Sequence, residues 1–235
     1  MTRPGTPEDA IDGVIPASVV EPATPEEVGA TLELASRDKL AVVPRGNGTK
    51  LGWGPTPRKI DILLSMSQLN AVVAHRYGDL TATVQAGAAL STVNQQLAQH
   101  RQWIPLDPPW GDRATIGGLV ATNDSGPRRH RYGAPRDLII GVEFARADGR
   151  LAKGGGIVVK NVAGYDLPRL MTGSFGSLSV IITATFKLYP LTTASKTVVV
   201  DLKDAAALGA LSGAITGSAL TPTALEFQTH PLRLL

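Results

Sequence analysis

Arg45-Gly46-Asn47-Gly48-Thr49-Lys50-Leu51-Gly52 is the first stretch of the chain whose residue types can do chemistry. Glycines at 46 and 48 admit positive φ and leave successive N–H groups uncovered, so the loop can wrap an anionic group as a nest. The Thr49 hydroxyl and the charges of Arg45 and Lys50 lie beside it. A Walker loop would need Gly-Lys-Ser/Thr after four spacers, and a dinucleotide fingerprint would need a third glycine at position 51, which is Leu. A plain turn between two strands accounts for the loop equally well in isolation. A second stretch runs from Asp107-Pro108-Pro109 through Thr115-Ile116-Gly117-Gly118 to Thr122-Asn123-Asp124-Ser125-Gly126. A helix opening at Thr115 directs N–H groups and a partial positive charge at an anion, and small residues let a flat ring approach the backbone. The alternative is a tightly packed glycine helix. The third is Gly173-Ser174-Phe175-Gly176-Ser177-Leu178-Ser179-Val180-Ile181, a small-residue turn into an apolar run. It can present backbone groups to a heterocycle, or serve only as a helix-to-strand turn.

Other reactive side chains are sparse. His75 and His100 sit in strand and helix contexts, His130 lies in the basic run Arg128-Arg129-His130-Arg131, and Asp166 opens a helix. The basic run can receive a carboxylate or an acidic partner, or be a solvated loop. His230 stands near an end that reads as cut. No metal-ligand constellation is visible. With no cysteine in 235 residues, disulfides, thiolate metal sites and a Cys nucleophile are excluded. A net charge of +3 with scattered basic residues gives no nucleic-acid signature. No apolar run approaches the ~20 residues of a transmembrane segment, and the start has no secretory pattern. These features predict a cytoplasmic protein whose redox chemistry, if any, needs a bound cofactor.

The positioning elements follow from periodicity and turn chemistry. Residues 1–16 read as a flexible leader and Val19-Val20 as a strand. Thr24-Pro25-Glu26-Glu27 starts a helix to about Arg37. Strands are expected at Leu40–Val43, ended by Pro44, at Ile60–Leu64, Val72-Val73 and Leu80–Gln85, with a helix over Ser91–His100. Thr115 caps a short helix to Val120. Leu138–Ala147 is a strand entering an Asp148-Gly149 hairpin turn. Tyr165–Met171 is a helix, and Leu178–Leu188 a strand ended by Pro190. Strand Thr197–Leu202, helix Ala205–Ile215 and strand Ala224–Gln228 follow.

In order and spacing, the three glycine-bearing segments resemble the flavin-binding domain of the vanillyl-alcohol-oxidase/p-cresol-methylhydroxylase (PCMH) superfamily of FAD-linked oxidases, over about residues 17–190. More narrowly, Ser125-Gly126-Pro127-Arg128-Arg129 and Lys160-Asn161-Val162-Ala163-Gly164-Tyr165-Asp166-Leu167-Pro168-Arg169-Leu170-Met171 are similar to the E-subunit family of bacterial glycolate oxidase. The resemblance implies an α+β fold, with α/β-type subdomains at about 17–70 and 71–190, and a partial cap domain at 191–235. It implies FAD contacts from Arg45, Gly46, Asn47, Gly48, Thr49 and Lys50, from Pro109 and Thr115, and from Thr122 to Ser125. It implies further contacts from Phe175, Gly176, Ser177, Leu178, Ser179, Val180 and Ile181. Asn47 stands where some covalent relatives carry His, which implies noncovalent flavin. Phe175 and Ser179 depart from an acidic residue and a glycine frequent in relatives. The implied role is the FAD-binding subunit of a glycolate (2-hydroxy acid) oxidase complex, with a catalytic flavoprotein subunit and an iron–sulfur subunit as partners. Any membrane association would then come through those partners. A self-sufficient flavin oxidoreductase and a flavin-free scaffold are the alternatives. No catalytic residue is assigned.

Overall fold

A computed structural model describes residues 1–157 and 164–228. Lys160 to Ala163 and His230 therefore lie outside the described residues. Its first sheet is formed by β1 (Thr2–Pro4), β2 (Ser18–Val20), β3 (Val42–Arg45) and β4 (Ile62–Ser65), in the order β1-β2-β4-β3. β2 and β3 run parallel to β4, and β1 is antiparallel to β2. Between β2 and β3 lies α1 (Pro25–Arg37). Its start is secured twice: Thr24 Oγ1 accepts from the Glu27 N–H at 3.2 Å, and the Glu27 carboxylate accepts from the Ala23 N–H at 2.7 Å. Val28, Leu32 and Ala35 give it one buried face.

The second sheet is antiparallel and takes its strands from further along the chain. β5 (Val72–Arg76), β6 (Thr81–Gln85), β8 (Ile139–Ala145), β9 (Leu151–Gly155) and β10 (Val180–Lys187) are ordered β5-β6-β10-β8-β9. β10 is the central strand and is buried from Val180 to Phe186, as its continuous apolar run requires. Two short strands, β7 (Gln102–Trp103) and β11 (Tyr189–Pro190), pair with each other. α2 (Leu90–Leu97), α3 (Ile116–Thr122), α4 (Arg129–Tyr132), α5 (Pro135–Leu138) and α6 (Leu167–Met171) connect these strands. A single apolar cluster joins both sheets: Val28, Leu32 and Leu64 pack with Val84, Ile182 and Phe186. The β8–β9 hairpin turns at Gly149, with φ +80°, and a Cβ there would lie 2.6 Å from the Gly29 carbonyl oxygen of α1. Close approach of helix and turn thus requires glycine on both sides.

Four local expectations are corrected. The stretch at 1–16 is not a loose leader: Thr2–Pro4 form β1, because their backbone groups pair with β2. Pro44 and Pro190 lie inside β3 and β11, where they were expected to end strands. Both strands sit at sheet edges, where a missing N–H costs no ladder bond. Thr197–Leu202 and Ala224–Gln228 are not strands, since no partner strand lies beside them among the described residues. The helix expected from Tyr165 begins at Leu167, with the Asp166 carboxylate accepting from the Arg169 N–H at 3.2 Å. In the region of the expected partial cap, α7 (Ala205–Thr216) does form, capped by Asp204, but buries none of its residues.

Candidate functional site

The three glycine-bearing stretches meet. The loop after β3, the first turns of α3 and the turn before β10 surround a cavity of about 360 Å³, within the ~300–1,000 Å³ usual for a small-molecule site. Arg45, Gly46, Gly48, Thr49 and Lys50 form one wall. Thr115 and Thr122 belong to the second, and Phe175, Gly176, Ser179, Val180 and Ile181 to the third. The remaining expected residues lie behind or beside these walls. Asn47 turns away, its Nδ2 donating to the Arg113 carbonyl at 2.9 Å. Asn123 ends α3 with φ +54° and accepts from the Arg136 N–H. Ser177 and Leu178 line an adjoining groove that shares Pro44, Gly176, Ser179 and Val180 with the cavity. Pro109 is exposed and Ser125 half-buried, both outside the lining.

Glycine is what lets the walls approach. A Cβ on Gly46 would sit 2.1 Å from Thr115 Oγ1, so the loop backbone lies directly against the start of α3. Gly117 is equally confined, its ideal Cβ 2.7 Å from that of Ala86. The third wall is tied to α3 by main-chain bonds, Gly173 N–H to the Val120 carbonyl at 2.9 Å and Phe175 N–H to that of Ala121 at 2.8 Å. Phe175 itself has φ +53° and is 56% exposed, at the rim of the cavity. Ser179 is buried and its hydroxyl donates to Met171 Sδ at 2.9 Å, so only its backbone and inner atoms are left for the wall.

Among the described residues, none of the N–H groups from Gly46 to Lys50 has a protein acceptor, and Gly48 holds φ +74°. Unpaired amides facing a cavity want an anion or water. The start of α3 differs from expectation. Its first two N–H groups are taken by the carbonyls of Ala88 and Ala86, at 2.9 and 2.7 Å, which leaves Gly118 as the donor still open. The glycine loop, not the helix terminus, is therefore the main source of donors.

Both cations of the loop are neutralised by carboxylates. Lys50 Nζ lies 3.1 Å from Asp124 Oδ2, and each side chain is only 6% exposed. Arg45 Nη2 lies 3.0 Å from Asp9 Oδ1. Asp9 also accepts from both terminal nitrogens of Arg3, at 2.6 and 2.9 Å, and from Thr6. The Arg3 bonds outweigh burial and, with those from Thr6 and Arg45, hold the Asp9 carboxyl well below the usual carboxylate range. Nearby, burial pushes Asp107 up, partly offset by the Arg128 N–H it accepts at 3.0 Å. Arg128 stacks over the Trp103 ring at 4.8 Å.

Sequence reasoning singled out the small residues Gly117, Gly118 and Ala121, all of which line the cavity, but missed Val43, Pro44, Gly54, Pro55, Met66 and Ala86. No local signal marks such residues, because each reaches the cavity only through tertiary packing. His75 and His100 lie apart from the cavity in a surface cluster with Tyr77, whose ring stacks on His100 at 4.4 Å. His130 is exposed. Among the described residues no group of three or more His, Cys, Asp or Glu can hold a metal.

The arrangement is a cavity with unpaired main-chain donors on one wall, set where two sheets meet. The chain belongs to the FAD binding domain family, of PCMH type, whose description matches residues 16–155. FAD is therefore its cofactor, and the residues fit it: free amides for a pyrophosphate, glycines where a Cβ would block the walls, and apolar sides of Met66, Ala86 and Val180. The chain is 33% identical to glycolate oxidase subunit GlcD of Bacillus subtilis, over 94% of its own length and 47% of the relative's. It is 37% identical to glycolate oxidase subunit GlcE of Escherichia coli, covering 68% and 46%. Identity to a D-lactate dehydrogenase of Archaeoglobus fulgidus is also 37%, covering 73% and 38%. The chain thus spans about half the length of these curated relatives, or less. Among solved structures, alkyldihydroxyacetonephosphate synthase shares the fold with a TM-score of 0.67 at 24% identity, covering 77% of this chain and 33% of that one.

Proposed function

We propose that the chain binds FAD noncovalently as part of an oxidoreductase that converts a small 2-hydroxy acid, glycolate, to its 2-oxo acid. In this reading it is one subunit of a glycolate oxidase complex, beside a catalytic flavoprotein subunit and an iron–sulfur subunit. The observation that carries the reading is the convergence of three glycine-bearing turns on one cavity whose loop amides from Gly46 to Lys50 are free. These amides hold the pyrophosphate, while Pro44, Met66, Ala86, Ala121 and Val180 keep water from the rest of the cofactor. Bound FAD supplies the hydride acceptor for oxidation at a carbinol carbon.

The subunit role draws on the names of the glycolate oxidase relatives and on the composition of the cavity. Among its described lining residues there is no His, Asp, Glu or Tyr, and the one lysine, Lys50, is engaged by Asp124, which leaves no free base there for the hydroxyl proton. The basic residues Arg129 and His130, exposed on α4, are outside the cavity. A partner subunit, or a segment beyond these residues, supplies the base and the carboxylate clamp. No helix among the described residues is long and apolar enough to cross a membrane. We place the complex in the cytoplasm, with any membrane attachment made by the partners.

Titration of the purified chain with FAD tests the cofactor role: quenching of flavin fluorescence and a shifted visible band are expected. A folded chain that leaves both unchanged would refute it. Co-purification from the native host then tests the subunit role, for which glycolate oxidation is expected in the complex and not in the isolated chain.

A further inference from the structure

Arg45 was expected to contact the cofactor, yet its guanidinium is spent on Asp9, a residue of the N-terminal stretch that lines no part of the cavity. We propose that Asp9 is a positioning residue for the glycine loop: through Arg45 it fixes where the loop leaves β3 and so sets the convergence of the Gly46–Lys50 amides. This rests on the FAD-binding reading of the same cavity.

The geometry is a clasp with five donors on one buried carboxylate. Asp9 is 3% exposed and receives Arg3 at both oxygens, the Thr6 N–H and hydroxyl, and Arg45. Arg3 belongs to β1, which is paired along β2, so the clasp is anchored to the sheet. Arg45 is held on its other side by its backbone, whose carbonyl accepts from the Met66 N–H at 2.8 Å. The loop's first residue is thereby pinned at both ends of its own atoms. Downstream, Asn47 is tied to the Arg113 carbonyl and Lys50 to Asp124. Three side chains of the loop are thus tied to groups outside it, while its amides from Gly46 to Lys50 are left without protein partners among the described residues. With Asp9 replaced, no other carboxylate among the described residues lies within 4 Å of the Arg45 guanidinium, and the first anchor is lost.

The test is a double-mutant cycle of Asp9→Asn and Arg45→Gln, read by the Kd for FAD and by backbone amide order parameters of the loop without FAD. Asp9→Asn is expected to weaken FAD at least fivefold and to lower the order parameters of Gly46–Lys50 from the rigid value of about 0.85 to below about 0.6. In the Arg45→Gln background it should add less than twofold to the loss of affinity and no further drop in order parameter, because both substitutions break the same link. Thermal stability, which also senses the Arg3–Asp9 bonds, should still fall further in the double variant. Should Asp9→Asn fail to fold, Arg45→Gln alone, which leaves Arg3 and Asp9 paired, must lower the loop order parameters to the same extent. Equal effects of Asp9→Asn in both backgrounds, or unchanged loop order parameters in either single variant, would overturn the proposal. Because the order parameters are read without cofactor, absence of FAD binding in the wild type would refute the cofactor reading while leaving the clasp decided by its own measurement.

Discussion

The Lys50–Asp124 pair offers a quantitative test of how the loop works. Each side chain is 6% exposed and the charges are 3.1 Å apart. After Asp124→Ala, Lys50 retains, among the described residues, the Thr49 hydroxyl at 3.2 Å and the Trp53 ring at 5.9 Å. Leaving one buried charge without its partner costs about 3–5 kcal/mol. In a chain of this size each kcal/mol moves Tm by roughly 2–4 °C, so a drop of about 6–20 °C is expected. Replacing both partners, as Lys50→Met with Asp124→Leu, removes the desolvation penalty along with the attraction, and stability should return to within about 1 kcal/mol of wild type or exceed it. FAD affinity in the doubly substituted chain then separates two roles for Lys50. If main-chain amides hold the pyrophosphate, Kd changes less than about threefold, under ~0.7 kcal/mol. A direct Lys50–phosphate bond would instead cost about 1.5–3 kcal/mol, more than tenfold. Differential scanning calorimetry and a flavin fluorescence titration make both measurements. A loss below 1 kcal/mol for Asp124→Ala, or a tenfold loss of FAD affinity in the double variant, refutes the reasoning.

Other substitutions probe the walls. Gly46→Ala sets a methyl where 2.1 Å separates it from Thr115 Oγ1. Such overpacking costs about 1–3 kcal/mol, and the titration should show FAD weakened roughly in proportion. Gly48→Val forces a β-branched residue to φ +74°, with Leu51 Cδ1 3.3 Å from its Cβ. A stability loss of at least ~1–2 kcal/mol is expected by chemical denaturation, together with loss of FAD binding. Because its carboxyl is held low in the fold, Asp9 contributes stability that is fully present above about pH 4, the ordinary carboxylate value, and is lost progressively as the pH falls below it, first through proton uptake by the unfolded chain. Denaturation midpoints between pH 6 and pH 3 should therefore fall more steeply for wild type than for Asp9→Asn.

Local chemistry made much of this architecture readable in advance. Thr24 and Glu27 marked the start of α1, Asp148-Gly149 marked the hairpin, and the apolar run after Leu178 marked the central strand, since each depends on neighbours in the chain. Gly46 and Gly48 announced a loop of bare amides for the same reason. The failures share an opposite cause. Val198, Val199 and Val200 have strong strand character, yet they are 76, 64 and 52% exposed, because β-branching gives no ladder without a partner. Thr2–Pro4, in a stretch rich in Pro and Gly, become a strand because β2 offers an open edge. Asp9 could not be singled out, because its two arginine partners lie 6 and 36 residues away. Met66 and Ala86 reach the cavity for reasons no window of sequence contains.

The three walls come from stretches centred near residues 48, 118 and 178, so the site has no local precursor. A nascent chain emerging from the ribosome has its glycine loop early, but gains the turn before β10 only after residue 181 has cleared the exit tunnel. The cofactor can in consequence be enclosed only after all three stretches have been made and folded together, and a chain cut short before β10 would lack the third wall altogether.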